Sequence, residues 1–221
     1  MIPELSKYSQ TFPNPSLASE EGIVAHGGDL SANRVMAAYV KGIFPWYNED
    51  DPILWWSPNP RFVLEINDLH ISKNLKKLIR KEMFEIKFNT SFIQVMIECG
   101  DAPRPDQDGT WIHPDMIETY SQLHTQKFAH SFEAWIGDEL VGGGYGIIVG
   151  DIFCGESMFS KVSGASKVAF IVLVERLKQN GFSLIDSQIH TEYLESFGAK
   201  HISRDDYLSR VKIALTKPRD F

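Results

Sequence analysis

One apolar run, LIDSQI at 184–189, carries a carboxylate and an amide two residues apart. As a strand it places Asp186 and Gln188 on one face with Leu184, because side chains alternate with a period of two, while Ile185 and Ser187 point the other way. Polar groups in such a setting are costly unless partnered. Two roles therefore stand: a structural hydrogen bond to neighbouring backbone, or a polar pair lining a pocket. The segment GESMF at 155–159 invites comparison with a nucleophile elbow, but it lacks the second glycine of G-x-S-x-G. That argues against a serine hydrolase.

Cations and indoles suggest a different chemistry. Lys73, Lys76, Lys77, Arg80 and Lys81 fall at i, i+3, i+4, i+7 and i+8, which gathers five positive charges on one helical face. Ile71, Leu75, Leu78 and Ile79 supply the apolar residues that hold this helix down. The chain has a net charge of −7, so any nucleic acid must be met through a local patch. The cationic face is either that patch or a solvated face paired with carboxylates elsewhere. Trp46 and Trp111 sit at loop ends, where an indole is free to stack a nucleobase; core packing is the competing role. The seven histidines form no H-E-x-x-H pair, and Cys99 and Cys154 form no C-x-x-C, so neither a metal nor a disulfide framework is expected. VGGGYG at 141–146 is not a dinucleotide fingerprint. It reads as glycines that permit a bulge or the close approach of a substrate backbone. AHGGDLS lacks the lysine of a phosphate loop and reads as a helix cap.

The elements that must position these groups differ along the chain. Residues 1–62 are rich in Pro, Gly and Trp, with one clear helix over Ala32–Lys41 that Ser31 is placed to cap. From Arg61 the pattern becomes regular. RFVLEI reads as a strand, 70–81 as a helix, Phe84–Asn89 as a strand, and Ser91–Cys99 and Pro114–Thr125 as helices. Two strands joined by a Gly-Asp turn cover 129–150, and a third covers Asp151–Glu156. A long helix follows over Ser163–Gln179, then the strand FSLIDSQI, then TEYLESFGA as a last amphipathic helix. This order predicts an α/β (α+β) fold with a mixed sheet, a small domain over 1–62 and a larger one over 63–221. With 43% hydrophobic and 23% charged residues the composition is that of a soluble globular protein. No apolar run of about 18 residues exists and no signal peptide is evident, so a cytoplasmic location is expected.

The stretches FPNPSLA, HGGDLS, GIFPWY, PILWWSPNPRFVL, HIS, TWI, AHSFEAW, LVGGGYG, FCGESMFS, ASK, LIDSQ and FGA, spread over nearly the whole chain, resemble the bacterial leucyl/phenylalanyl-tRNA–protein transferases. The resemblance implies an enzyme that moves Leu or Phe, with Met as a third candidate, from aminoacyl-tRNA to proteins beginning with Arg or Lys, marking them for N-end rule degradation. It implies a small N-terminal domain before an acetyltransferase-like (GNAT) domain, no metal or organic cofactor, and a monomer acting away from membranes. By the same resemblance Trp46, Trp111 and Tyr120 hold the aminoacyl-adenosine end. Phe153, Glu156, Met158 and Ile185 line the substrate pocket, and Asp186 and Gln188 assist peptide-bond formation. The basic helix contacts the tRNA acceptor stem. Departures are Gly144, where a relative carries a larger apolar residue, Leu173 in place of an aromatic, and a chain that ends sooner than some relatives. Two rivals are an acyl-CoA-dependent N-acetyltransferase, for which KVSGASK would have to cradle pyrophosphate, and a non-catalytic tRNA-binding module.

Overall fold

Short strands punctuated by Pro and Gly build the first part of the chain, and long alternating runs build the rest. The computed structural model describes residues 2–48, 50–103 and 110–221. The first part holds strand β1 (Glu4–Leu5), β2 (Ile23–Gly27), helix α1 (Ala32–Tyr39), β3 (Phe44–Pro45) and β4 (Leu54–Trp56). The second begins with β5 (Arg61–Glu65), α2 (Lys73–Ile79), β6 (Glu85–Phe88), α3 (Phe92–Asp101) and α4 (Pro114–Thr125). It continues with β7 (Ala129–Ile136), β8 (Glu139–Val149), β9 (Ile152–Ser160), α5 (Ala165–Gln179) and β10 (Leu184–Gln188). It closes with α6 (Glu192–Glu195), β11 (Lys200–Ile202) and α7 (Arg204–Ala214).

Two sheets result, ordered β1-β2-β4-β3 and β11-β5-β10-β9-β8-β7-β6. In the larger one β6 to β9 pair antiparallel, and β10 then lies parallel to β9. A parallel neighbour needs a long crossover, and α5 supplies it by packing back over β7 and β8. The mixed α/β class follows from this order. The change of sheet falls between Trp56 and Arg61. The small sheet has no separate core, because Val24, Val35, Tyr39 and Trp55 share one apolar cluster with Met96, Tyr120, Tyr145 and Leu184. A second cluster lies on the opposite face of the large sheet, where Phe132, Phe153 and Ile185 meet Ala169, Phe170 and Leu173 of α5.

Several expected elements change. Ser31 makes no capping bond through its side chain; Asp29 Oδ1 instead accepts the Ser31 N–H at 2.8 Å while Oδ2 holds Arg34 at 2.9 Å. The basic helix is two turns long, capped by Ser72 Oγ accepting from Leu75 N, so Arg80 stands at its C-cap and Lys81 beyond it. The strand expected to end at Glu156 runs on to Ser160. TEYLESFGA yields only a four-residue helix, and it is not the last: β11 and α7 follow. No helix of the described residues is long and apolar enough to cross a membrane.

Candidate active site

At the end of β10 the alternation of side chains breaks. Asp186 faces Val63 and Gln188 faces Phe62 on β5, so two residues of β10 oppose one, and Gln188 takes a left-handed φ of 63°. A bulge of this kind shifts the face order by one residue. The expectation that Asp186 and Gln188 share a face is therefore wrong. Ile185, Ser187 and Gln188 line a cavity of about 670 Å³, whereas Asp186 lies behind it.

Asp186 is sealed, at 0% exposure. Its carboxylate accepts from Arg61 Nε at 2.8 Å and Nη2 at 2.6 Å, from the Tyr207 hydroxyl at 2.7 Å, and from the Gln188 N–H at 2.9 Å. Arg61 is 1% exposed, and its guanidinium also lies 4.3 Å from the Tyr207 ring centroid and 4.9 Å from that of Phe44. Burial disfavours the charge on Arg61, and Asp186 more than offsets that. A paired, hydrogen-bonded buried charge is the form in which such a group persists. The bond to Gln188 N also satisfies the N–H that the bulge removes from the ladder.

On the cavity side, Glu156 of β9 is the polar centre. Its Oε1 accepts from Gln188 Nε2 at 2.9 Å and its Oε2 from the Tyr120 hydroxyl at 3.2 Å. Tyr120 in turn lies 2.9 Å from the Tyr39 hydroxyl of α1. Burial raises the Glu156 carboxyl to about 7, with the Asp186 charge adding to the rise and hydrogen bonds from Tyr39, Gln188 and Tyr120 opposing it. Tyr120 itself is fully buried and stands behind Glu156 rather than on the cavity wall.

Trp46, Trp111, Phe153, Glu156, Met158, Ile185 and Gln188 thus line one cavity; Tyr120 and Asp186 do not. Trp46 keeps its backbone in the small sheet, donating its N–H to Leu54 O, and its ring lies 5.5 Å from that of Trp56. The expected bulge is present, since Tyr145 and Gly146 of β8 face Ser157 and Gly155 of β9, and the glycines of β8 admit the protein's own backbone and side chains closely. A Cβ on Gly144 would stand 2.5 Å from Met158 Cγ and 2.6 Å from Phe132 Cζ, and one on Gly146 would stand 2.5 Å from the Phe153 ring. Leu173 is fully buried on the inner face of α5 and does not line the cavity.

The cationic helix flanks this opening. Leu78 of α2 packs on Gly164, and Gly164 with Lys167 lines the cavity at the start of α5. Lys73, Lys76, Lys77, Arg80 and Lys81 are all exposed. Among the described residues none of the five makes an ion pair, so the pairing with carboxylates that was one alternative does not occur. Sequence reasoning missed Arg61, Tyr207 and Tyr39. The signal for Arg61 was present, as a cation inside the apolar strand RFVL.

The sequence profile of the leucyl/phenylalanyl-tRNA protein transferase family matches residues 63–212, and the profile of that family's N-terminal domain matches residues 28–59. Proteins named leucyl/phenylalanyl-tRNA–protein transferase are similar over nearly the full length. The one from Sulfurimonas denitrificans is 52% identical over 96% of this chain and 92% of its own. That from Myxococcus xanthus is 48% identical over 96% and 91%, and that from Cellvibrio japonicus 48% over 100% and 94%.

Proposed function

This chain belongs to the leucyl/phenylalanyl-tRNA protein transferase family, and on that premise we propose how its cavity carries out the reaction. The enzyme transfers Leu or Phe from aminoacyl-tRNA to the N-terminus of a protein. The terminal adenosine is held by Trp46 and Trp111, with Tyr120 supporting from behind. The Leu or Phe side chain enters the apolar wall of Phe153, Met158 and Ile185. The acceptor stem rests on Lys73, Lys76, Lys77, Arg80 and Lys81. The observation that carries this reading is that both indoles, the apolar wall and the Glu156–Gln188 pair face a single cavity flanked by a cationic helix that makes no ion pair among the described residues.

The tRNA ester is already activated, so neither a covalent enzyme intermediate nor a metal or organic cofactor is required. The attacking α-amine has a pKa of about 7.7–8.0 and is partly neutral at physiological pH. Holding it against the ester is worth up to roughly 7–11 kcal/mol. Gln188 gives its N–H to Glu156, which leaves its carbonyl oxygen to accept from the amine. Asp186 acts through Gln188: its oxygens are taken by Arg61 and Tyr207, and its bond to the Gln188 N–H fixes the bulge.

Acceptors begin with Arg or Lys, which the net charge of −7 favours electrostatically, and the product is marked for N-end rule degradation. The enzyme works as a cytoplasmic monomer with a domain boundary at residue 62. The antiparallel meander, crossover helix and parallel β9–β10 pair support an acetyltransferase-like larger domain. Incubation with labelled leucyl-tRNA tests the proposal. An Arg-starting peptide should acquire the label and an Asp-starting peptide should not. Equal labelling, or none, overturns it.

A further inference from the structure

Resting on that reading of the cavity, we infer that Glu156 is the proton carrier of the transfer and that Tyr39 is a positioning residue which, together with Tyr120, holds it ready. Among the described residues lining the cavity, Glu156 is the one carboxylate. The other polar groups there do not serve: Lys167 is a cation 5.6 Å from the Tyr193 ring centroid, Gln188 is a neutral amide, and the remainder are serine, threonine and tyrosine hydroxyls and two indole N–H groups, none of them a base at neutral pH. Asp186 is closed off by four hydrogen bonds and 0% exposure.

Glu156 is tethered at both oxygens and still open. Gln188 Nε2 holds Oε1 and Tyr120 holds Oε2. A carboxylate oxygen has two acceptor positions, so Oε1, held by Gln188 alone, retains one for the cavity. With Tyr120 donating to Glu156, its oxygen is free to accept from the Tyr39 hydroxyl 2.9 Å away. Burial first, and then the Glu156 charge, keeps both phenols well above their ordinary pKa, so they remain donors. This chain starts on α1, is relayed by α4 and ends on β9. The small domain thus sets the basicity of a group in the large one. The charged and titratable groups around Glu156 are Tyr39, Tyr120, Asp186 and, beyond Asp186, Arg61, Tyr207 and Cys154, with Tyr145 on β8 and Lys167 across the cavity.

The protons balance. The amine nitrogen bonds to the ester carbonyl carbon, and its surplus proton passes to Glu156. The bond from that carbon to the ribose oxygen breaks, and Glu156 returns the proton to the ribose oxygen. A peptide bond and a free tRNA hydroxyl result, with Glu156 again ionised.

The test is the pH profile of single-turnover transfer at saturating leucyl-tRNA and Arg-starting peptide, for wild type, Tyr39→Phe, Tyr120→Phe and Glu156→Gln. The peptide amine titrates identically in all four, so differences report the enzyme. Wild type should show an enzyme inflection at about 7. Losing the Tyr39 hydroxyl weakens the donation to the carboxylate and should raise that inflection by roughly 0.5–1 pH unit, a loss of about 3- to 10-fold at pH 6 that shrinks as pH rises. Tyr120→Phe removes the donor to Oε2 and should shift it in the same direction. Glu156→Gln should lose the inflection and about 10²-fold or more in rate at saturating substrates. Inflections of both Phe variants that coincide with wild type, or a Glu156→Gln enzyme within about tenfold of wild type, overturn the inference and leave the transferase reading intact. Absence of transfer by wild type overturns that reading instead. Should Tyr39→Phe fail to fold, Tyr120→Phe reads the same inflection.

Discussion

Replacing Asp186 with alanine strands the guanidinium of Arg61, which is 1% exposed and has Asp186 as its only carboxylate partner among the described residues. It also removes the acceptor of the Tyr207 hydroxyl and of the Gln188 N–H. Breaking a buried pair by deleting one partner costs about 3–5 kcal/mol. For a chain of this length each kcal/mol lowers the melting temperature by roughly 2–4 °C, so Asp186→Ala should melt about 6–20 °C below wild type. Transfer should fall with it, because Gln188 is no longer held in its left-handed bulge. The double variant Arg61→Met/Asp186→Leu removes both charges and should recover much of the lost stability, but not the transfer. Thermal unfolding followed by circular dichroism, together with single-turnover transfer on the same samples, reads both quantities. An Asp186→Ala protein melting within about 2 °C of wild type while losing transfer would refute this reasoning. Asp186 would then act chemically rather than by position.

Three further outcomes follow from the same geometry. Gly144→Ala places a methyl 2.5 Å from Met158 Cγ, 2.5 Å from the Ser157 carbonyl oxygen and 2.6 Å from Phe132 Cζ; besides straining the β8–β9 pairing, it pushes the two side chains into the cavity and should lower the ratio of Phe to Leu transfer by roughly tenfold, the scale of one methylene in an apolar pocket, as read by competition between the two charged tRNAs. Reversing two cations with Lys76→Glu/Lys77→Glu should weaken tRNA binding in a filter-binding series, and should reduce the slope of log K against log salt by about 0.7–0.9 for each phosphate that is no longer neutralised. The third concerns stability against pH. The Glu156 carboxyl is raised from 4.5 to about 7, so its contribution to stability is fully present below pH 4.5 and is lost as pH rises through about 7. Glu156→Gln has no such loss, so its melting temperature should gain on wild type between pH 5 and pH 8; a constant gap would contradict the shift.

How far the site could be read from sequence depends on whether its determinants are local. The element containing LIDSQ is legible as a strand from its apolar run, and the cationic face of 73–81 from its spacing. The bulge is not legible, because it arises from a hydrogen bond of Asp186 to Gln188 and from pairing with β5, which brings in Arg61 from 125 residues away. The period-two rule was sound until that extra residue entered. The cap of α1 failed similarly: Ser31 is a good cap by type, but Asp29 and Arg34 make the local network. Helix α7 escaped notice because it buries only Tyr207, Val211 and Ala214, a stripe too thin to show against its charged remainder. The change in texture near residue 60 does mark where one sheet gives way to the other. The apolar cluster running across both does not show in composition. The tie from Tyr39 to Tyr120 to Glu156 crosses the same junction.

The central claim is that one cavity holds the ester-bearing adenosine beside the incoming amine. A crystal structure of the protein with an amide-linked leucyl-adenosine tests it directly. The adenine should lie against Trp46 and Trp111, the leucyl side chain between Phe153, Met158 and Ile185, and the amide carbonyl within reach of Gln188 and Glu156. An adenosine bound away from both indoles, or a leucyl group outside that apolar wall, would contradict the account.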